Sequence, residues 1–239
     1  MGEVQGRAGA KLVGEMMGKK RVSIITLAND FGKSLEAGFK EKAAEFGIEI
    51  LGEYDYSIKD REFGPIVSKV KAEAPDAIYA SGYFFTAGPL VSQLRAAGGD
   101  VPVIGQEGYD GEMFIKIAGA AAEGVIITTS LDRDSTDPLA QAFIQGFQKK
   151  SGYPADMVSA STHTAVLVLA EAMKQVDPSD KAALRQAIAS TSINAATGNI
   201  SFNKLGEVRK SVQVQVVRDG SWHHFAVISD PVLLAPPEE

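Results

Sequence analysis

Apolar positions along this chain follow two periods in turn. Short runs rich in β-branched residues occupy 21–26, 48–54, 77–81, 101–105 and 124–129, each of strand length. Between them the period changes to that of a helix: Leu35, Phe39, Ala43 and Phe46 recur across 34–46, and Gly47 closes the segment as a C-terminal breaker. Segments 64–74, 88–97 and 111–118 behave alike, the last two ending on Gly98-Gly99 and Gly119. Five strands alternating with helices predict an α/β fold, a doubly wound parallel sheet with right-handed crossovers.

The texture changes after Thr129. Asp137-Pro138 and Asp177-Pro178 each pair a capping side chain with a proline suited to a first helical position, predicting helices over 138–150, 155–175 and 178–190. Alternating Val212, Val214 and Val216 pair with 222–228 across Arg218-Asp219-Gly220-Ser221, whose Asp-Gly is a strong hairpin signal. The proline-rich end, 231–239, is expected to be loosely ordered. Phe143, Phe147, Val166, Leu169 and Met173 form apolar stripes on helices with no strands of their own to cover. Such a face finds a partner, so self-association through 137–190 is expected.

Composition narrows the function classes. The 239 residues suffice for one large domain or two modest ones, and 45% apolar with 23% charged residues is ordinary for a globular protein. With 24 basic against 30 acidic residues, a net charge of -6 and no basic block, no nucleic-acid partner is expected. The absence of cysteine removes disulfides, zinc-thiolate sites and cysteine nucleophiles together. The first residues show no apolar leader, Gly6 stands where a myristoylation signal needs Ser or Thr, and no apolar run is long enough to span a membrane.

Most chemical motifs fail on detail. Gly32-Lys33-Ser34 sits between strand and helix as a phosphate loop does, but Leu27 replaces the first glycine and Asp30 opposes phosphate. Asp30-Phe31-Gly32 spells a kinase triplet with no catalytic loop to accompany it. His163 lies within a helix, and the adjacent His223 and His224 point to opposite faces of a strand, so none has metal spacing. Asp132, Asp134 and Asp137 lack the glycine and terminal glutamate of a calcium loop and read as caps and hinges. Asn199-Ile200-Ser201 is a formal glycosylation acceptor of little weight. No catalytic constellation is present, so an enzyme is not expected and neither metal nor cofactor is called for.

One constellation remains. Asn29 and Phe31, Tyr83 and Phe84, and Glu107 each follow an apolar strand run, and open α/β sheets hold ligands at the carboxyl ends of their strands. A carboxylate among aromatic faces suits an ammonium, through ion pairing and cation-π attraction. The ligand class this implies is a small cationic or zwitterionic molecule.

Lys20-Arg21-Val22-Ser23-Ile24-Ile25 leading to Asn29-Asp30-Phe31-Gly32, then Ala74-Pro75-Asp76-Ala77-Ile78-Tyr79, Gly82-Tyr83-Phe84, Gly105-Gln106-Glu107-Gly108, Ala122-Glu123-Gly124-Val125 and Thr197-Gly198-Asn199-Ile200-Ser201-Phe202 with Gly206 stand in a distinctive order. In these the chain resembles the type I periplasmic solute-binding proteins of ABC importers, the leucine/isoleucine/valine-binding type. The resemblance implies a Rossmann or flavodoxin-like lobe plus a helical return segment, a branched-chain or related amino acid as ligand, importer membrane subunits as partners, and a periplasmic location. It implies a ligand held between two lobes, one clamping the carboxylate and the other supplying an acid to the ammonium. Glu107 matches that acid, Phe31 an aromatic after the lobe's first strand and Tyr83 a pocket tyrosine, whereas His163 stands where an aromatic is usual. Such proteins carry a complete first lobe before the point matching Gln5. Residues 1–130 and 199–239 are therefore expected to form the second lobe, with 131–198 a helical segment belonging to a truncated first lobe. Two other readings stay open: a sensing domain of the same fold for amides or small polar molecules, and a flavodoxin-like enzyme or nucleotide-binding domain.

Overall fold

The computed structural model describes residues 2–236. It opens on α1 (Gly2–Lys11), whose last turn widens into a π turn over Leu12–Met16 and ends near Gly18. A βα series follows: β1 (Arg21–Leu27), α2 (Asp30–Ala43), β2 (Glu49–Tyr56), α3 (Gly64–Glu73), β3 (Ala77–Ala80), α4 (Phe84–Ala96), β4 (Val103–Gly105), α5 (Glu112–Ala118) and β5 (Ile126–Thr129). Three helices come next, α6 (Pro138–Ser151), α7 (Met157–Met173) and α8 (Lys181–Ser190). Strands β6 (Ile193–Ala195), β7 (Gly198–Phe202) and β8 (Val208–Arg209) form a small antiparallel sheet, and β9 (Val212–Arg218) with β10 (Ser221–Ile228) ends the order.

The large sheet runs β10-β9-β5-β4-β3-β1-β2. β1 to β5 are mutually parallel, while β9 lies antiparallel to β5 and joins β10 through the Asp219-Gly220 turn. The order reverses between β1 and β3, which marks the carboxyl edge there as a ligand crevice. β3, β4 and β5 are buried along their whole length because both faces are covered. One core layer joins Val22, Ile24, Tyr79 and Val214 to α1 and α2. The other joins Ile25, Ile78, Val103 and Ile127 to α3, α4 and α5.

All five predicted parallel strands and the helices between them are present within a few residues of expectation. Helix α1 was not anticipated. Its Gly6 and the facing Gly38 of α2 permit a close backbone approach: a Cβ on Gly38 would meet the Glu3 carbonyl, and one on Gly6 the Leu35 carbonyl, at under 3.0 Å.

In the helical segment, Asp137 caps α6 as predicted, accepting from Leu139 N and Ala140 N at 2.9 and 3.0 Å. The cap of α8 is Asp180, not Asp177, which instead accepts from Ser179 N in the preceding turn at 2.9 Å. Phe143 and Phe147 do not stand on an open face; they pack inward with Leu131, Ala155 and Ala160. The exposed apolar stripe is Val158, Val166, Leu169 and Met173 of α7. Residues from 199 first pair within the small sheet, and the chain rejoins the large one only at Val212.

The terminal segment is held more firmly than its prolines suggest. Leu233 and Leu234 are buried in the core layer of α1, and buried Arg7 donates to the carbonyls of Leu233 and Ala235 at 2.9 and 2.6 Å. The expectation for 237–239 falls outside the described residues.

Candidate functional site

The carboxyl edge of the sheet is lined by buried polar groups, a costly arrangement unless each is bonded. Gln106, fully buried after β4, donates to the Gly82 carbonyl at 3.0 Å and accepts from Gly108 N at 2.7 Å. These two bonds lock the loop after β3 to the loop after β4. They also require close contact, since a Cβ on Gly108 would run into the Gly82 carbonyl. The clasp leads the chain into a short 3-10 turn, Glu107–Tyr109, that begins with Glu107.

The Glu107 carboxylate, partly buried, accepts a hydrogen bond from the Gln5 amide of α1. The Gln5 carbonyl oxygen in turn accepts from Thr128 Oγ1 at 3.3 Å. Across from Glu107, Lys210 donates to the hydroxyl of buried Ser130. Burial lowers the Lys210 ammonium from its usual value near 10.5, and the negative charge of Glu107 opposes that shift. Gln5, Glu107, Thr129, Ser130, Met157, Ser161 and Lys210 surround a pocket of about 280 Å³. Asp110, two residues past the clasp, accepts from Thr129 Oγ1 at 2.6 Å and pairs with Arg133 just beyond β5. Met157 N at 3.4 Å also points at Asp110, so one buried carboxylate ties β5, the exit to the helical segment and the start of α7.

The predicted site residues separate into two groups. Glu107 opens onto the pocket. Phe31 and Tyr83 stack on each other, with centroids 5.2 Å apart and planes 10° from parallel, and Tyr83 continues onto Phe85 at 5.7 Å. The Gly82 to Gln106 clasp joins the loop that carries Tyr83 to the one that carries Glu107, and neither ring lines the pocket. Phe84 packs edge-on against Phe85 at 5.2 Å and against the core layer of α4. The Asn29 side chain is occupied as the cap of α2, accepting from Gly32 N at 2.8 Å. Sequence reasoning missed Gln5, Ser130 and Lys210. Lys210 carried one usable signal, its place in the Arg209-Lys210-Ser211 stretch that leads into the alternating valines of β9.

The two adjacent histidines are both engaged by aspartates. On the edge strand β10 they pair with the successive residues Val216 and Gln215 of β9, and both reach the loop after β5. His223 Nδ1 lies 3.1 Å from Asp134, while His224 uses its amide on Asp134 at 2.8 Å and its ring on Asp132 at 2.8 Å. His163 stacks on Phe143 at 4.9 Å. Among the described residues no group of three or more His, Cys, Asp or Glu side chains is arranged to hold a metal ion, and no helix is long and apolar enough to cross a membrane.

The sheet order and the partly buried acid at its carboxyl edge fit a binding lobe, and the family model for periplasmic binding proteins matches residues 2–221. The chain belongs to that family. The leucine-, isoleucine-, valine-, threonine- and alanine-binding protein of Pseudomonas aeruginosa is 25% identical over 206 residues, which are 86% of this chain and 55% of that protein. A leucine-binding protein from Thermotoga maritima superposes with a TM-score of 0.90 at 28% identity, covering 96% of this chain and 66% of the other. The branched-chain amino acid transporter substrate-binding protein of Streptococcus pneumoniae, solved with isoleucine, gives 0.88 at 24% identity and the same coverage, a likeness of fold. The chain spans about half the length of the curated relatives it matches.

Proposed function

We propose that this chain is the ligand-binding part of an ABC importer's solute-binding protein and takes a branched-chain or related amino acid, its ammonium on Glu107. The observation that carries the reading is the Glu107 carboxylate at the carboxyl end of β4, open to a pocket it shares with the end of β5. Among the described residues its side-chain donor is an uncharged amide, so an entering ammonium replaces a neutral partner with a charged one. Relatives named for leucine, isoleucine and valine support the ligand class. The same relatives support a periplasmic location, importer membrane subunits as partners and a role in binding rather than catalysis.

Within this reading residues 1–130 and 199–239 make one lobe and 131–198 belongs to the other, and the separate small core of α6 and α7 supports that division. The pairing of β7 with β6, in turn, carries the helical segment's side on to β8 before the chain rejoins the large sheet at Val212. The exposed α7 stripe supports self-association through 137–190. Light scattering tests it: Val166→Asp is expected to shift an assembled chain to monomer, and a wild-type monomer at every concentration contradicts it.

Calorimetry with leucine tests the ligand assignment. Glu107→Gln keeps the shape, removes the charge, and is expected to cost about 2–5 kcal/mol of binding where the ion pair is desolvated. Equal affinity in both proteins refutes it.

A further inference from the structure

The pocket beside Glu107 has two walls of different origin. Glu107, Thr129 and Ser130 belong to the carboxyl edge of the large sheet, whereas Met157 and Ser161 belong to α7 of the helical segment. Asp110 touches both. Its carboxylate accepts from Thr129 Oγ1 at 2.6 Å on one wall and from Met157 N at 3.4 Å on the other, and it directly follows the turn that presents Glu107. The next residue also comes close to α7, since a Cβ on Gly111 would stand 3.9 Å from the Asp156 side chain.

The bond from Met157 is not needed to start α7. Asp156 already caps that helix, accepting from Ser159 N at 2.8 Å while Ser159 Oγ accepts from Asp156 N at 3.0 Å, a complete capping box. Met157 N is one of the first-turn amides that such a box leaves over, and a carboxylate there meets the positive end of the helix. A charge buried this deeply is costly unless paired. Asp110, its side chain 1% exposed, pairs with Arg133, which stands on the connection from β5 to the helical segment.

We propose that Asp110 is a positioning residue for ligand binding: held by Arg133, it fixes the start of α7, and with it Met157 and Ser161, against the Glu107 edge of the sheet. The inference rests on the assignment of the ligand to the Glu107 pocket and adds what keeps the two walls of that pocket at one separation. Asp110 acts through Thr129 and Met157 and does not itself line the pocket. Without the ion pair the first turn of α7 is free to draw away. A bound molecule then leaves faster while its rate of arrival changes little, since changes at a binding surface act mostly on dissociation.

Native-state amide hydrogen exchange and stopped-flow binding of leucine, both on the full chain, separate this role from support of the loop alone. Asp110→Asn and Arg133→Gln each remove one charge, and the double variant leaves no unpaired buried charge, so it keeps the test open should a single variant unfold. In each, exchange at residues 157–161 is expected to rise at least about fivefold while β3 keeps its wild-type protection. Leucine release is expected to quicken at least about tenfold with association within about threefold, and the double variant to be no worse than the singles, as for two residues that act as one. Trp222, the chain's one tryptophan, donates to the Gly111 carbonyl at 3.2 Å, so unchanged emission shows that the loop after β4 stays folded. Wild-type exchange at 157–161 in the double variant overturns the proposal. Faster exchange throughout the sheet with a shifted Trp222 emission overturns it too, because Asp110 then supports only its own loop, as does leucine release that stays unaltered while α7 exchanges faster. Glu107→Gln is expected to lose leucine with 157–161 unaffected. A wild-type chain that binds no leucine therefore overturns the Glu107 assignment, and the exchange rates still decide whether Asp110 holds α7.

Discussion

Replacing glycine by alanine at two helical positions should change stability in opposite directions. At Gly38 of α2 the new Cβ meets the backbone of Glu3 on α1 at under 3.0 Å, and backbone cannot yield by changing a rotamer. Overpacking of this kind costs about 1–3 kcal/mol, and the obstruction by main chain places it toward the upper end. Alanine returns at most about 1 kcal/mol of helix propensity, leaving a net loss of about 2 kcal/mol. Gly146, in the middle of α6, is exposed and has nothing within 4 Å of its would-be Cβ, so the same change there should gain about 0.5–1 kcal/mol. Urea unfolding with matched slopes reads both numbers. Because α1 carries Gln5, Gly38→Ala is also expected to loosen the amide from Glu107 and alter ligand affinity, whereas Gly146→Ala is not. A Gly38→Ala protein as stable as the wild type would refute the close approach of α1 and α2, and with it the placement of Gln5 in the site.

Arg133→Ala leaves the Asp110 carboxylate, 1% exposed, with only Thr129 and Met157 as partners; a loss of about 3 kcal/mol in urea is expected, and a loss below about 0.5 kcal/mol contradicts the tie. Tyr79 buries a hydroxyl with no partner among the described residues, so Tyr79→Phe should raise the melting temperature, by a free energy of about 1 kcal/mol; a drop would show that the hydroxyl is bonded. Partial burial raises the Asp134 carboxyl, but the His224 amide and the His223 ring outweigh it, and its pKa is lowered from 3.8. The stability this adds is present above the unfolded value and is lost as pH falls through the folded one. Acid unfolding below about pH 4 should therefore be steeper in the wild type than in Asp134→Asn, and parallel curves would refute it.

The parallel sheet was legible because its strands are covered on both faces, which leaves apolar runs such as Ala77 to Ala80, and because Gly47, Gly98 and Gly119 end the helices between them. Helix α1 was not legible. Gly2, Gly6 and Gly9 depress its intrinsic helix propensity, yet Gly2 and Gly6 are where neighbouring groups press closest, so the residues that weaken the local signal serve tertiary contact. Asp177-Pro178 looked like a helix start because a cap and a proline coincide, but a second aspartate three residues on offers the same cap immediately before Lys181. The site shows the same divide. Glu107 stood out because a strand end and Gly108 flank it, whereas Gln5 and Lys210 reach it from 102 residues before and beyond the helical excursion. Phe31 and Tyr83 stood out from their place at the sheet edge, but position alone did not show that their rings stack on each other.

The central claim is that this lobe and its helical segment bind an amino acid at the Glu107 edge of the sheet, and a thermal-shift panel tests it most directly. Leucine, isoleucine and valine are compared with ATP, NAD and FMN on the wild-type chain and on Glu107→Gln. A ligand at one hundred times its Kd stabilises the native state by about 2.7 kcal/mol, a shift of several degrees for a domain of this size. The account predicts a rise with the branched-chain amino acids that Glu107→Gln abolishes, and no rise with the nucleotides. A rise with a nucleotide or flavin, and none with any amino acid, would contradict it.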